Sequence, residues 1–100
     1  MTRSLHSYEA FMPTVQFTAN LASQTAAPLC KVDGATVREA LHAVFTQHPT
    51  LRSYVLDDQN AVRQHVVVFV DGTAITDRRK QTDAVRPDSE IFVMQALSGG

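Results

Sequence analysis

Hydrophobic and polar positions alternate in two early segments of the chain, and this period of two predicts β-strands. In the segment 12–20, Val15 and Phe17 alternate with polar neighbours. A second strand is predicted over 28–32, where apolar residues again alternate after a turn-like stretch. The simplest arrangement of two such strands is a hairpin.

A period of three to four residues follows and predicts an amphipathic helix over 36–47. Thr36 followed by Glu39 has the spacing of a capping box, in which side chains satisfy the free amides of the first turn. Pro49 favours a helix end just before it. The segment 51–56 has no decisive pattern. The predicted buried face consists of Val37, Ala40, Leu41, Val44, Phe45 and His48.

The second half of the chain predicts three more strands. The segment 62–70 is dense in β-branched residues, which is typical of a central strand buried on both faces. The dipeptide 71–72, Asp-Gly, predicts a tight hairpin turn into a short strand over 73–75. A polar loop over 76–87 then leads to a last strand over 91–96.

This order of elements predicts an α+β fold, a mixed sheet with one main helix packed on one face. If the first strand lies beside the last in the centre of the sheet, the arrangement is a β-grasp, which periodicity alone does not prove. We divide the chain into a flexible N-terminal extension over 1–11, a folded domain over 12–95 and an extended tail over 96–100.

Composition restricts the classes of function. The 100 residues have a mass of 11.0 kDa, and 44% are hydrophobic and 19% charged, as in one small soluble domain. This size excludes an enzyme with separate substrate and cofactor domains. The net charge of −1 argues against a nucleic-acid binder. No apolar run reaches the roughly 18 residues of a membrane span. The sequence also lacks an apolar signal region, so we expect a cytoplasmic protein.

No catalytic or metal-binding set is predicted. Cys30 has no cysteine partner, and we expect a half-buried structural thiol rather than a nucleophile. The sequence has no glycine-rich phosphate loop with a lysine, so we expect no bound nucleotide cofactor. Zinc spacing is absent among the four histidines, which are His6, His42, His48 and His65.

The end of the sequence carries the candidate chemistry. Leu97, Ser98, Gly99 and Gly100 follow the last predicted strand. Five extended residues span about 17 Å, enough to enter another protein's active site. Glycine has no Cβ and fits a narrow channel. A carboxylate on Gly100 needs activation by ATP, after which a sulfur donor can displace AMP and leave a thiocarboxylate. The alternative from the residues alone is a frayed end without a role.

The last strand also contains candidate docking residues. Phe92 and Met94 alternate with Ile91 and Val93, so the two pairs face opposite sides of a sheet. We expect Ile91 and Val93 in the core. Phe92 and Met94 are candidates for docking a partner, because aromatic residues and methionine are enriched at interfaces, and the alternative is that they too are core. An exposed Leu97 would be an anchor beside the reactive end.

A cluster of cations lies in the predicted polar loop, formed by Arg78, Arg79 and Lys80. Arg78 and Arg79 are candidates for steering an acidic surface of a partner. A solvated loop is the more common explanation of such a cluster.

Three stretches of the sequence resemble the MoaD/ThiS family of ubiquitin-like sulfur carriers. They are the helix start over 35–41, the strand and turn over 66–72, and the segment 83–100 with its terminal glycines. Together with their order, they extend the resemblance over residues 12–100. The segment 48–65 is more similar to the CysO-type carriers of cysteine biosynthesis than to the small subunit of molybdopterin synthase.

The resemblance implies a β-grasp fold and a thiocarboxylate on Gly100. It implies activation by an E1-like adenylating enzyme of the MoeB/ThiF type, which uses the ATP, so that this chain has no catalytic role of its own. A sulfur-accepting biosynthetic enzyme would be the second partner, in the synthesis of cysteine, thiamin, molybdopterin or a secondary metabolite.

Three alternatives remain at this point. The chain could be a ubiquitin-like modifier joined through Gly100 to lysines of other proteins, or the small subunit of molybdopterin synthase. It could also be a binding module with an inert tail.

Overall fold

The computed structural model of the chain describes residues 12–17 and 29–95. The predicted extension over 1–11 and the predicted tail over 96–100 lie outside these residues. No helix in the described ranges is long and apolar enough to cross a membrane. The elements are β1 (Thr14–Phe17), β2 (Leu29–Lys31), α1 (Val37–Gln47), α2 (Pro49–Val55), β3 (Val66–Val70), β4 (Thr73–Ala74) and β5 (Glu90–Gln95).

The described strands form a five-stranded mixed sheet in the order β2-β1-β5-β3-β4. β1 and β5 are parallel, with Val15 opposite Ile91 and Phe17 opposite Val93. The other pairs, β1 with β2, β3 with β5 and β3 with β4, are antiparallel. The first strand therefore lies beside the last at the centre of the sheet, which confirms the β-grasp arrangement.

One face of the sheet packs against the helices. The alternating residues Val15 and Phe17 of β1 lie on this face, and both are buried. The predicted apolar stripe of α1 is confirmed, because its buried residues are Val37, Ala40, Leu41, Val44 and Phe45. His48 lies at the end of this stripe and is only half-buried. The buried side chains of strands and helices form one continuous core.

The start of α1 has the predicted capping interactions. The Thr36 hydroxyl accepts a hydrogen bond from the Glu39 amide at 3.2 Å, and the Glu39 carboxylate accepts one from the Ala35 amide at 2.8 Å. The first of these bonds satisfies a free amide of the first turn, and the second fixes the residue before the N-cap Thr36. Gly34 allows the preceding chain to approach the helix, because a Cβ there would lie 2.8 Å from the Ala40 nitrogen.

The predicted end of the first helix just before Pro49 is confirmed, but the sequence did not predict that a second helix begins there. Pro49 is the first residue of this second helix, α2, which covers most of the segment without a decisive pattern. Proline is tolerated there because the first residues of a helix need no intrahelical amide partner. Leu51 and Val55 of α2 are buried in the same core as α1.

The strand predicted over 62–70 is shorter than expected. β3 begins at Val66, whose amide donates to the Arg63 carbonyl at 3.0 Å in a turn. Val62 pairs instead with Leu56 in an isolated antiparallel bridge. The turn separates this bridge from the main sheet. A segment rich in β-branched residues does not show where such a turn lies.

The expectation that this strand is buried on both faces was also wrong. Val66 and Val68 are fully buried, whereas Val67 and Phe69 are partly exposed. Because α1 and α2 both pack on the same face of the sheet, the alternate residues of β3 face the other side.

The Asp71–Gly72 turn between β3 and β4 is confirmed. Asp71 has φ 51° and Gly72 has φ 87°, the pair of positive values that a tight hairpin turn of this kind requires. The loop that follows β4 is polar in sequence, but two of its residues are buried. It places Val85 in the core and buries Gln81, at 7% and 2% exposure.

Leu41→Ala tests whether the α1 stripe is the centre of the core. Leu41 is 1% exposed, so we expect the free energy of unfolding to fall by about 2–5 kcal/mol. Urea denaturation measures the change. His42→Ala, one residue further on the exposed side of α1, is the control and is expected to change stability by no more than about 0.5 kcal/mol. Equal losses in both variants would contradict the packing described.

Candidate functional site

The tail that carries the candidate chemistry follows a strand held on both sides. β5 pairs with β1 along one edge and with β3 along the other. Its last residue, Gln95, lies opposite Val66, the first residue of β3. The strand before the tail is therefore fixed at the sheet centre. The tail candidates themselves, Leu97, Ser98, Gly99 and Gly100, lie outside the described residues.

β5 presents two different sides. Ile91 and Val93 are 1% and 0% exposed and face the helices, as predicted. Phe92 and Met94 alternate with them and are partly exposed on the opposite side. These two docking candidates therefore do not belong to the core cluster.

Neighbouring strands extend this surface. Phe92 lies between Phe69 of β3 and Gln16 of β1, and Met94 lies opposite Val67. Directly paired residues share a face of a sheet, so these side chains form one largely apolar surface. We call it the sheet face; it consists of Gln16, Val67, Phe69, Phe92 and Met94.

The sequence did not single out Val67 and Phe69 as surface residues. Both lie in a run of five apolar residues, which local periodicity cannot divide into two faces. The alternation becomes visible only when β3 is paired in register with β5. Val67 and Phe69 then lie directly opposite Met94 and Phe92, and therefore on the same side of the sheet.

One end of the sheet face forms an open groove of about 460 Å³. Phe69 and Phe92 contribute its apolar part, and Asp71 and Glu90 contribute carboxylates. This end of the sheet face therefore has two carboxylates beside its apolar side chains.

Asp71 connects the β3–β4 turn to the start of β5. Its carboxylate accepts hydrogen bonds from the Glu90 amide at 2.9 Å and from the Ser89 hydroxyl at 3.0 Å. The Arg86 guanidinium lies 3.9 Å away. The Glu90 amide first, then the Ser89 hydroxyl and the charge of Arg86, hold the pKa of Asp71 below its usual value.

The cation cluster lies elsewhere. Arg78 donates from its guanidinium to the Arg63 carbonyl at 2.6 Å, and its own carbonyl accepts from the Val62 amide. The same loop bonds to the start of α1, where the Arg38 amide donates to the Gln81 carbonyl. Arg78 thus has a structural role on the helix side, and the structure does not bring it together with Phe92 and Met94. Its neighbour in sequence, Arg79, is exposed.

Cys30 is half-buried and packs against the core, as predicted for a structural thiol. Burial raises its pKa above the usual value, which lowers the fraction of reactive thiolate. Within residues 12–17 and 29–95, no group of three His, Cys, Asp or Glu side chains is placed to hold a metal ion.

The fold and the sequence together define a small ubiquitin-like protein of the carrier and modifier class. The sequence profile of the ThiS family matches residues 15–100 of the chain. The chain therefore belongs to the ThiS family. None of the curated proteins matches it in sequence.

Several solved structures share the fold. SAMP1 from Haloferax volcanii is 28% identical, with a TM-score of 0.76 over 88% of this chain and 98% of that one. A chain of the BexX/CysO complex from Amycolatopsis orientalis is 19% identical, with a TM-score of 0.76 over 88% and 99%. CysO from Mycobacterium tuberculosis is 12% identical, with a TM-score of 0.74 over 85% and 99%. The last two similarities concern the fold alone.

Asp71→Asn tests the role of the Asp71 carboxylate in the fold. Because folding lowers its pKa, this group stabilises the fold above the unfolded value of 3.8, and the contribution is lost as pH falls below 3.8. Asparagine is tolerated at positive φ, so the turn is retained. We expect the variant to lose less stability than the wild type between neutral pH and pH 3, measured by urea denaturation.

The control for this experiment is Asp88→Asn. Asp88 is an exposed carboxylate 3.6 Å from the same Arg86 side chain, but it accepts none of the hydrogen bonds that connect the turn to β5. The Asp88→Asn variant is expected to lose as much stability as the wild type between neutral pH and pH 3. An acid sensitivity of Asp71→Asn equal to that of the wild type would show that Asp71 has no such role.

Proposed function

We propose that this chain is a sulfur carrier whose Gly100 carboxylate is converted to a thiocarboxylate. The observation that carries the proposal is the match to the ThiS family, which extends through both terminal glycines to residue 100. The central position of β5 supports it, because a rigid strand precedes the tail at a fixed point of the domain.

The chemistry requires two partner enzymes. The Gly100 carboxylate attacks the α-phosphate of ATP on an E1-like adenylating enzyme of the MoeB/ThiF type, and pyrophosphate leaves. A sulfide equivalent then attacks the acyl carbon of the adenylate, and AMP leaves. The resulting thiocarboxylate gives its sulfur to a biosynthetic enzyme, in the synthesis of cysteine, thiamin, molybdopterin or a secondary metabolite. In this scheme the chain is a co-substrate and binds no cofactor itself.

In this scheme, some residues of the chain extend the carboxylate into a partner's active site and others bind the partner. Leu97, Ser98 and Gly99 connect the reacting carboxylate to β5, and glycine next to the end allows entry into a narrow channel. The sheet face, with Phe92 and Met94 at its centre, is the surface proposed to dock on the activating enzyme. Burial of such apolar surface favours association, and its acidic edge at Glu90 adds directional specificity.

A second function is favoured by one of the comparisons. The similar protein from Haloferax volcanii is a small archaeal modifier protein, so the chain is also a candidate modifier that joins Gly100 to lysines of other proteins. Both functions need the same adenylate. They differ in the nucleophile that attacks it, a sulfur donor in one case and a lysine amine in the other.

The intact mass of the chain after incubation with ATP, sulfide and an E1-like enzyme of the same organism tests the proposal. We expect replacement of one oxygen by sulfur at Gly100. Oxidation of a methionine gives nearly the same nominal shift, and the chain has three methionines. A thiocarboxylate-selective reagent or high mass resolution must therefore locate the change.

The control is the chain without Gly100. It is expected to show no modification, with an unchanged free energy of unfolding. Unfolding of this variant would contradict an exposed tail. Failure of the full chain with every activating enzyme of the organism would refute the carrier function, and conjugates of higher mass would favour the modifier.

The double variant Val67→Thr/Met94→Gln tests the sheet face. It makes a cross-strand pair polar at nearly constant size, so the core is not altered. We expect KM for the chain as substrate of its activating enzyme to rise roughly tenfold, with little change in kcat. Arg79→Gln is the control and is expected to change KM less than about twofold. The opposite pattern would move docking from the sheet face to the cation cluster.

A further inference from the structure

A second concave surface lies on the helix side of the domain. It is a cleft of about 810 Å³ between α1 and the segment that follows α2. Its apolar floor is formed by Leu41 and Phe45 of α1 and by Leu56, the residue that caps α2. We call it the helix cleft.

The far wall of the helix cleft is held in place by hydrogen bonds. Gln81 is 2% exposed, and its side-chain amide donates to the carbonyls of Asn60 at 3.2 Å and Arg78 at 2.6 Å. The Arg52 guanidinium donates to the Asn60 side chain. These contacts connect α2, the turn after it and the 76–83 loop, so the cleft is formed before any ligand arrives.

The rim of the helix cleft has an excess of positive charge. Arg38 and His42 of α1 and Arg52 of α2 all line it. Glu39 is the carboxylate of the lining, and it already accepts the Ala35 amide at the start of α1. In the described part of the chain, both ion pairs found belong to Arg86. Neither cleft arginine forms an ion pair within 4.0 Å in residues 12–17 and 29–95, although backbone amide hydrogen bonds and, to a lesser extent, the charge of Arg52 lower the pKa of Asp57.

The helix cleft and the sheet face lie on opposite sides of the domain and differ in charge. The helices cover one face of the sheet, whereas Phe92 and Met94 are on the other. The sheet face ends at the carboxylates of Asp71 and Glu90. A protein that covers the sheet face leaves the helix cleft open. The arginines of the cleft favour an acidic partner, whereas the carboxylates of the sheet face favour a basic one.

We propose that the helix cleft is a second docking surface that binds an acidic, apolar segment of a partner protein. Carboxylates of that segment pair with Arg38 and Arg52, and an apolar side chain of it packs on the edges of Phe45 and Leu56 that stay exposed, at 8% and 7%. Arginine presents two parallel donors to a carboxylate, which adds geometric specificity to the charge. This surface goes beyond the proposed function and does not depend on the chemistry of Gly100.

The composition of the remaining chain argues for an external partner. Residues 18–28 and 96–100 contain no acidic side chain. Residues 1–11 contain Glu9 but also Arg3, so their charges cancel. None of these segments offers a pair of carboxylate side chains for Arg38 and Arg52.

Amide NMR of the full-length chain tests the proposal. The probe is a short acetylated peptide of alternating leucine and glutamate, and a peptide with lysine in place of glutamate is its control. We expect the acidic peptide to shift the amides of Arg38, Leu41, His42 and Asn60, with a Kd below about 1 mM. The basic peptide should not shift them.

Two variants with equal loss of charge separate a specific site from general attraction. Arg38→Gln/Arg52→Gln is expected to weaken binding of the acidic peptide at least about tenfold. Arg79→Gln/Lys80→Gln removes the same charge outside the cleft lining and is expected to weaken it less than about twofold. A far-ultraviolet circular dichroism spectrum identical to that of the wild type shows that each variant is folded.

Several results would overturn the proposal. They are equal weakening in the two variants, shifts confined to the sheet face, or no shift up to about 2 mM peptide. Nuclear Overhauser contacts between the cleft and residues 1–11 in the free protein would also overturn it, because the chain would then fill its own cleft. None of these results bears on modification of Gly100, so a failure here is distinct from a failure of the carrier function.

Discussion

The parallel pairing of β1 with β5 is the constraint on which the rest of the structure depends. Parallel strands cannot be joined by a tight turn, so the chain between them must leave the sheet and return. Here that connection contains both helices and three further strands, and its helices cover one face of the sheet only. β5 consequently has a neighbour on each edge, one buried side and one exposed side, and its carboxyl end is the point from which the candidate tail continues.

This one-sided covering accounts for both proposed interaction surfaces. On the uncovered side, Phe69 and Phe92 are adjacent because β3 pairs with β5. On the covered side, the outer edge of α1 meets the segment after α2, and Arg38 and Arg52 approach the same cleft. A carrier that passes from one enzyme to another benefits from surfaces of different charge, since each partner can be recognised by contacts that the other does not use.

The features that the sequence predicted well are local. The capping box of Thr36 and Glu39, the Asp71–Gly72 turn and the alternation of Ile91 to Met94 depend on residues at most a few positions apart. The features that it did not predict concern longer distances. α2 begins at the proline that follows the predicted end of α1, and the burial of its Leu51 and Val55 in the common core stabilises it despite the weak pattern. Likewise, Gln81 lies in a polar stretch, and only its hydrogen bonds to Asn60 and Arg78 explain its burial.

The sequence by itself determined the class of fold, the helix stripe and the two sides of β5, because hydrophobic periodicity follows directly from the geometry of a helix or a strand. It also contains the terminal glycines that resemble those of a carrier. Only the tertiary structure decided which residues join Phe92 and Met94 on the sheet face, and that Arg38 and Arg52 line one cleft while Arg78 holds a loop. The physical reason is that strand register and helix contacts are set by residues far apart in sequence, which meet only when the whole core is packed.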